Sequence, residues 1–310
     1  MSKKILLYFI LIIFFFKFEN VYALENKIIL KLNNEIITTL DIKNEEKYLT
    51  ALYPNLKNLE KDKIFEISKN SLIRERIKKN EILKYTKSID IEENQIEKII
   101  YSYYVKLNIK SEDDFKNYLK DIGIKIEEFK QKISIETLWN QLIYSKFNTK
   151  VKIDEKMLKL IARQNIENES NSYFLKEIFF ELDDGEKLEN KYTLIKKTIE
   201  QTGFENTAIQ YSISPSSKNK GEIGWIKFNS LNPLIKDSIQ NLSLGEISEP
   251  ISIPGGFLIL VIDDVKKDIK ENDLENEFKN LVNLKRNEQL NQYSVIYFSK
   301  VKKDLQIEEL

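Results

Sequence analysis

The sequence predicts an α+β fold: a largely helical body into which one small antiparallel sheet unit, flanked by helices, is set. Three observations predict it. Apolar residues recur at helical spacing through the first half of the chain, the period shifts to a strand-like alternation at Ser172, and seven of the eight glycines then fall between Gly185 and Gly256. A helical pattern returns after Lys267.

The first segment reads as a leader. Lys3 and Lys4 precede an apolar run from Ile5 to Phe16, and Val21-Tyr22-Ala23 is a small-x-small cleavage site, which places the first mature residue at Leu24. The run is 12 residues long, whereas a membrane span takes about 20. A short strand follows from Lys27 to Leu32, Asn33-Asn34 is a turn signal, and Ile36 and Ile37 continue as a second strand before helix begins near Thr39. Asp90 with Glu93 opens a helix whose Ile96, Ile99, Ile100, Tyr103 and Leu107 form one apolar stripe. Ser111 with Asp114 starts another, carrying Phe115 and Leu119 and stopping at Gly123. A third runs from about Ile126 with Phe129, Ile133, Leu138, Trp139 and Leu142 facing inward.

The sheet unit opens with a strand from Ser172 to Leu182 and a turn at Asp183-Asp184-Gly185. A helix with Leu188, Tyr192, Ile195 and Ile199 on one face then stops at Gly203, and an apolar strand from Phe257 to Val265 closes the unit. Beyond it, Phe278, Leu281, Leu290 and Tyr293 mark a final helix, and Leu305-Gln306-Ile307 reads as a terminal strand.

Composition excludes whole classes of chemistry. There is no cysteine, so neither a disulfide nor a lipid-attachment thiol is available. There is no histidine, which removes the commonest general base and the commonest neutral metal ligand together. Cleavage after Ala23 removes three lysines and one glutamate, turning 49 basic and 49 acidic residues into 46 and 48; a nucleic-acid partner is not expected of so balanced a chain. Gly-rich phosphate loops, nucleophile elbows and paired metal-ligand spacings are missing, so no cofactor, metal or ATP is expected. The acidic pairs Glu45-Glu46, Glu92-Glu93 and Asp183-Asp184 lie in polar surroundings and read as solvated or capping residues.

Four segments, in order, carry a family resemblance. They are Ala208-Ile209-Gln210-Tyr211-Ser212-Ile213-Ser214, Gly221-Glu222-Ile223-Gly224-Trp225, Leu242-Ser243-Leu244-Gly245-Glu246-Ile247-Ser248-Glu249-Pro250 and Gly255-Gly256-Phe257-Leu258-Ile259-Leu260. Their order and spacing resemble the parvulin (PpiC, rotamase) domain, and the flanking helices resemble those of SurA-like periplasmic chaperones. SurA itself carries two parvulin domains; this chain has room for one. The resemblance implies a signal peptide at 1–23, a helical SurA-N-like client-binding domain at 24–165, a parvulin-type domain at 166–267 and a C-terminal helix and strand at 268–310 that pack back on the first domain.

It also implies where chemistry should be sought. Isomerising an X-Pro bond means crossing a barrier of about 18–20 kcal/mol, because rotation breaks amide resonance. Parvulins resemble one another in placing an apolar proline pocket beside two histidines and a cysteine or aspartate. Matched segment by segment, those three positions fall on Glu177, Ser214 and Leu258, so none of the usual residues is retained. The peptide- or proline-binding positions implied are Phe179, Trp225, Leu231 and Ile235. Two roles for the replaced cluster stand side by side: Glu177 and Ser214 as a substitute polar pair, or Leu258 as plain core and Glu177 as a solvated strand residue.

The expected function is an ATP-independent periplasmic chaperone that binds unfolded outer-membrane or secreted proteins through a helical cradle, with no stable membrane anchor after cleavage. The alternative is an active peptidyl-prolyl cis-trans isomerase acting on exported proteins.

Overall fold

The computed structural model describes residues 26–33, 35–167, 171–183, 185–267 and 273–310. The leader read at residues 1–23, with its cleavage point between Ala23 and Leu24, lies outside the described residues. Strand β1 (Ile28–Leu32) turns at Asn33, which takes the left-handed φ of 52° that asparagine tolerates, into β2 (Glu35–Thr38). Thr38 then caps α1 (Thr39–Leu52): its hydroxyl accepts from the Asp41 amide while the Asp41 carboxylate accepts from the Thr38 amide.

The helical body continues with α2 (Lys61–Ile82), α3 (Glu93–Lys106), α4 (Glu112–Asp121), α5 (Ile126–Phe147) and α6 (Glu155–Glu167). Helix α3 opens later than the Asp90–Glu93 spacing suggests. Glu92 is extended at the cap position and makes no side-chain cap bond, so Glu93 is the first helical residue rather than the third. The apolar stripe is as expected, with Ile96 and Ile100 buried against Phe115, Leu119 and Phe129. Ser111 caps α4, its hydroxyl accepting from the Asp114 amide at 3.1 Å.

The sheet unit contains β3 (Asn171–Phe180), α7 (Leu188–Thr202), α8 (Phe204–Tyr211), β4 (Glu222–Lys227), α9 (Pro233–Ile239), β5 (Ile251–Ile253) and β6 (Gly256–Lys267). Its strands run antiparallel in the order β4-β3-β6-β5. Strand β3 stops at Phe180, two residues short of the expected end. Alternation divides its faces: Ile178 and Phe180, with Ile259 of β6, pack beneath Ile195 of α7 and Ala208 of α8. Leu175 and Phe179, with Leu258, Leu260 and Ile262 of β6, build the opposite face.

Helix α10 (Leu274–Lys303) is 30 residues, about 45 Å, and touches both parts of the molecule. Leu281 packs on Leu158 and Ala162 of α6, Val295 joins the open face of the sheet, and Phe298 and Val301 enter the helical core beside Leu30, Ile77 and Trp139. The Trp139 indole donates to the Ser294 hydroxyl at 2.8 Å, so the one polar atom of this fully buried ring is satisfied. After α10, β7 (Ile307–Glu309) pairs antiparallel with β1, giving the sheet β2-β1-β7. The terminal strand thus begins two residues later than its sequence signal.

Buried charge seats the sheet unit on the helical body. Arg74 of α2 donates to the Ile209 and Gln210 carbonyls at the C-terminal end of α8, at 2.6 and 3.2 Å, where a cation is favoured. Glu136 of α5 pairs with Lys78 at 2.8 Å and, across the junction, with Lys218 at 2.6 Å. Glu45 departs from the solvated role expected of it. It is buried, accepts from Ser71, and pairs with Lys132, because α1 turns it toward α2 and α5 rather than outward. No helix among the described residues is long and apolar enough to cross a membrane.

Candidate functional site

The open face of the sheet floors a cavity of about 360 Å³. Phe179 of β3 and Leu258 of β6, which are cross-strand partners, form part of its base. Leu231, just ahead of α9, and Ile235 within it make the apolar side wall. Asn232 caps α9 with its side-chain oxygen on the Leu234 amide at 2.9 Å, fixing where that wall stands. One step along β3 from Phe179 on the same face is Glu177, opposite Leu260.

Glu177 is the polar centre of this pocket. One carboxylate oxygen accepts from the Ser214 hydroxyl at 2.6 Å and from the Ser216 hydroxyl at 2.7 Å. Ser216 lies on a short helical turn, Pro215–Asn219, which Ser214 caps and Pro215 opens. A buried neighbour, Ser212, accepts from the Phe179 amide at 3.0 Å, and the Ile213 amide donates to the Phe179 carbonyl at 2.8 Å, so the segment carrying the serines is tied to β3 itself. On the other side, the Glu177 amide donates to the Gly221 carbonyl at 2.7 Å. Gly221 has a φ of 80°, and a Cβ there would collide with the Glu177 carbonyl, so only glycine brings this turn so close to the strand.

Burial raises the Glu177 pKa above the ordinary carboxylate value; the Ser214 and Ser216 donors work against that rise, and the nearby charge of Glu288 adds to it. Glu177 is part-buried, with its carboxylate bonded to the two serine hydroxyls. Leu258 is buried and offers no polar group to the cluster.

Five positions singled out in the sequence besides Glu177 line the same cavity: Ser214, Leu258, Phe179, Leu231 and Ile235. Trp225 stands apart. It pairs with Phe174 across β4 and β3, on the face away from Glu177, with its ring edge-on to Phe174 at 5.4 Å and the Lys266 ammonium 4.1 Å above it. It is 39% exposed and is not part of the pocket wall.

Sequence reasoning missed the remaining wall. Leu284, Asn287, Glu288, Asn291, Gln292 and Val295 of α10 close one side of the cavity. These residues sit more than a hundred positions from Glu177, and no local signal connects them to it. Ser216 was discoverable, since Ser-Pro-Ser is a turn-opening sequence whose two hydroxyls fall on one side.

Comparison with known proteins finds the following similarities. The Rotamase family model, described as PPIC-type PPIASE domain, matches residues 175–264. Chaperone SurA of Chromohalobacter salexigens is 24% identical over 166 residues, which is 51% of this chain and 38% of that protein. Foldase protein PrsA 2 of Bacillus anthracis is 28% identical over 199 residues, 64% of this chain and 61% of that protein. The chain thus spans less than two thirds of the length of either relative. Among solved structures, a SurA-like chaperone of Campylobacter jejuni aligns over 92% of this chain and 99% of that one, at 18% identity and a TM-score of 0.39.

Proposed function

We propose, from the premise that residues 175–264 are a PPIC-type rotamase domain, that the protein is an ATP-independent chaperone of exported polypeptides whose rotamase pocket binds proline-containing segments with little or no turnover. The observation that carries this reading is the composition of the pocket. Its apolar wall of Phe179, Leu231, Ile235 and Leu258 can receive a proline ring, while the polar side offers a carboxylate and two hydroxyls with no imidazole or thiol beside them. Catalysis of amide rotation needs preorganised groups at the twisting bond, and losing one such partner commonly costs about 10²–10³ in rate. Binding requires only the cavity.

The leader read at residues 1–23 and the similarity to SurA chaperones support action in the periplasm on unfolded secreted or outer-membrane proteins. The domain division at 24–165, 166–267 and 268–310 belongs to the same proposal, with the helical body as the broad client surface. Weak, exchanging contact suits that role, because ordering a disordered chain consumes much of the contact energy.

The test pairs two measurements on the mature protein. Suppression of aggregation of an unfolded outer-membrane protein is expected, together with X-Pro isomerisation of a short peptide at the uncatalysed rate. Failure to bind or protect any unfolded client would overturn the chaperone reading. The second reading, an active isomerase, is favoured by the hydrogen-bonded Glu177–Ser214–Ser216 cluster beside the apolar wall. Isomerisation above background that disappears in both Glu177→Ala and Ser214→Ala would establish it.

A further inference from the structure

The cavity is apolar at its base and one-sided in charge at its rim. Glu177, Glu222 and Glu288 line it, from β3, β4 and α10, and no lysine or arginine does. Elsewhere buried and part-buried carboxylates are matched by cations: Glu45 by Lys132, Glu136 by Lys78 and Lys218, Glu277 by Lys227. At the pocket this matching is incomplete. Among the described residues, Glu177 receives only the Ser214 and Ser216 hydroxyls and Glu222 only the Asn219 amide, at 2.7 Å. Glu288 pairs with Lys285 one turn back on α10 at 2.9 Å, and its charge still reaches Glu177. Part-buried carboxylates with too little counter-charge attract cations more strongly than the same groups in bulk solvent, so a cation arriving with the ligand gains more here.

We propose that this pocket selects polypeptide segments in which a proline is flanked by a lysine or arginine, the ring entering between Phe179, Leu231 and Ile235 and the cation facing Glu177, Glu222 and Glu288. The selection rests on the reading that the pocket binds extended polypeptide. Its chemistry is complementary on both counts: a small apolar cavity for the ring, and a rim of net negative charge within the reach of an adjacent long side chain. The amides of Asn287, Asn291 and Gln292 along the α10 wall offer donors and acceptors to the backbone of such a segment without adding charge.

The experiment uses the full mature protein and three fluorescent peptides that differ only in the residue before proline, Lys, Gln or Glu, with affinity read by anisotropy. The Lys-Pro peptide is expected to bind roughly tenfold tighter than the Glu-Pro peptide at low salt, with the gap closing as salt rises. In Glu222→Gln and Glu288→Gln, and in the triple variant that adds Glu177→Gln, the ratio of Lys-Pro to Glu-Pro affinity should fall stepwise toward one; circular dichroism checks that each variant is folded. Equal affinity for all three peptides would overturn the selection while leaving peptide binding intact. A lysine preference that survives in the triple variant would assign it to another surface and overturn the proposal. Absence of binding by any of the three would overturn both the selection and the pocket's assignment to polypeptide.

Discussion

A carboxyl group that burial shields from water, and that faces no cation, holds its own proton more tightly than it would in an unfolded chain even when two hydroxyls donate to it. Glu177 is in that position, so between the ordinary carboxylate pKa and its raised folded value the native state binds more protons than the unfolded state. Stability contributed by the protonated form is therefore present at low pH and lost as pH rises through that window. Glu177→Gln should flatten this part of the stability–pH curve, measured by urea unfolding at closely spaced pH values. Glu136 has the opposite sign. Burial works to raise its pKa, but Lys218 and Lys78 outweigh burial and hold it at about 2. Its contribution is present above the unfolded carboxylate value and lost as pH falls from there toward about 2. Glu136→Gln should abolish that acid-dependent loss and lower stability at neutral pH by about 3 kcal/mol, since the buried Lys78 loses its partner while the more exposed Lys218 returns to water. The difference between these two residues was not legible in the sequence. Glu177 was found because its segment matched a family pattern, and Glu136 was not singled out, because its lysine partners come from α2 and from the turn after Pro215.

At the level of elements, periodicity located most helices and the hairpin, since these depend on neighbours three or four residues away. The α3 stripe and the Ser111 cap could be read directly from spacing. The offsets at Glu92, Phe180 and Ile307 arise where a strand or helix end is decided by its tertiary partner instead. Helix α10 is the strongest case of that dependence. Its apolar positions announced a helix, but not that it would serve three surfaces along one length. Trp139→Ala is expected to cost about 3–5 kcal/mol, because it empties a fully buried site and strands the Ser294 hydroxyl; chemical denaturation measures it. Gly221→Ala acts on the pocket itself. The added methyl meets the Glu177 carbonyl on a left-handed residue, so a loss of more than about 1 kcal/mol is expected, with displacement of the Ser214–Ser216 turn visible in amide chemical shifts.

Across the whole molecule, α10 makes pocket occupancy and the integrity of the helical body parts of one equilibrium. Val295 borders the cavity while Phe298, one turn further on, lies in the core with Trp139. A ligand that binds only the assembled pocket should raise the melting temperature of the entire chain in a single transition, by RT ln(1 + [L]/Kd) in free energy; two separated transitions in a calorimetric scan with ligand would show that the two parts answer independently. The sheet β2-β1-β7 sets a further order of events. The Gln306 amide donates to the Asn33 side chain, 273 residues away, beside the pairing of β1 with β7. A polypeptide emerging amino end first must keep β1 unpaired along one edge until nearly all the rest has appeared, whereas β3 finds β4 and β6 within its own unit. Loop closure over so long a span is slow. Pulse-labelled hydrogen exchange during refolding should therefore protect β3 and β6 first and β7 last, leaving the edge where β7 meets β1 as the final seam to close.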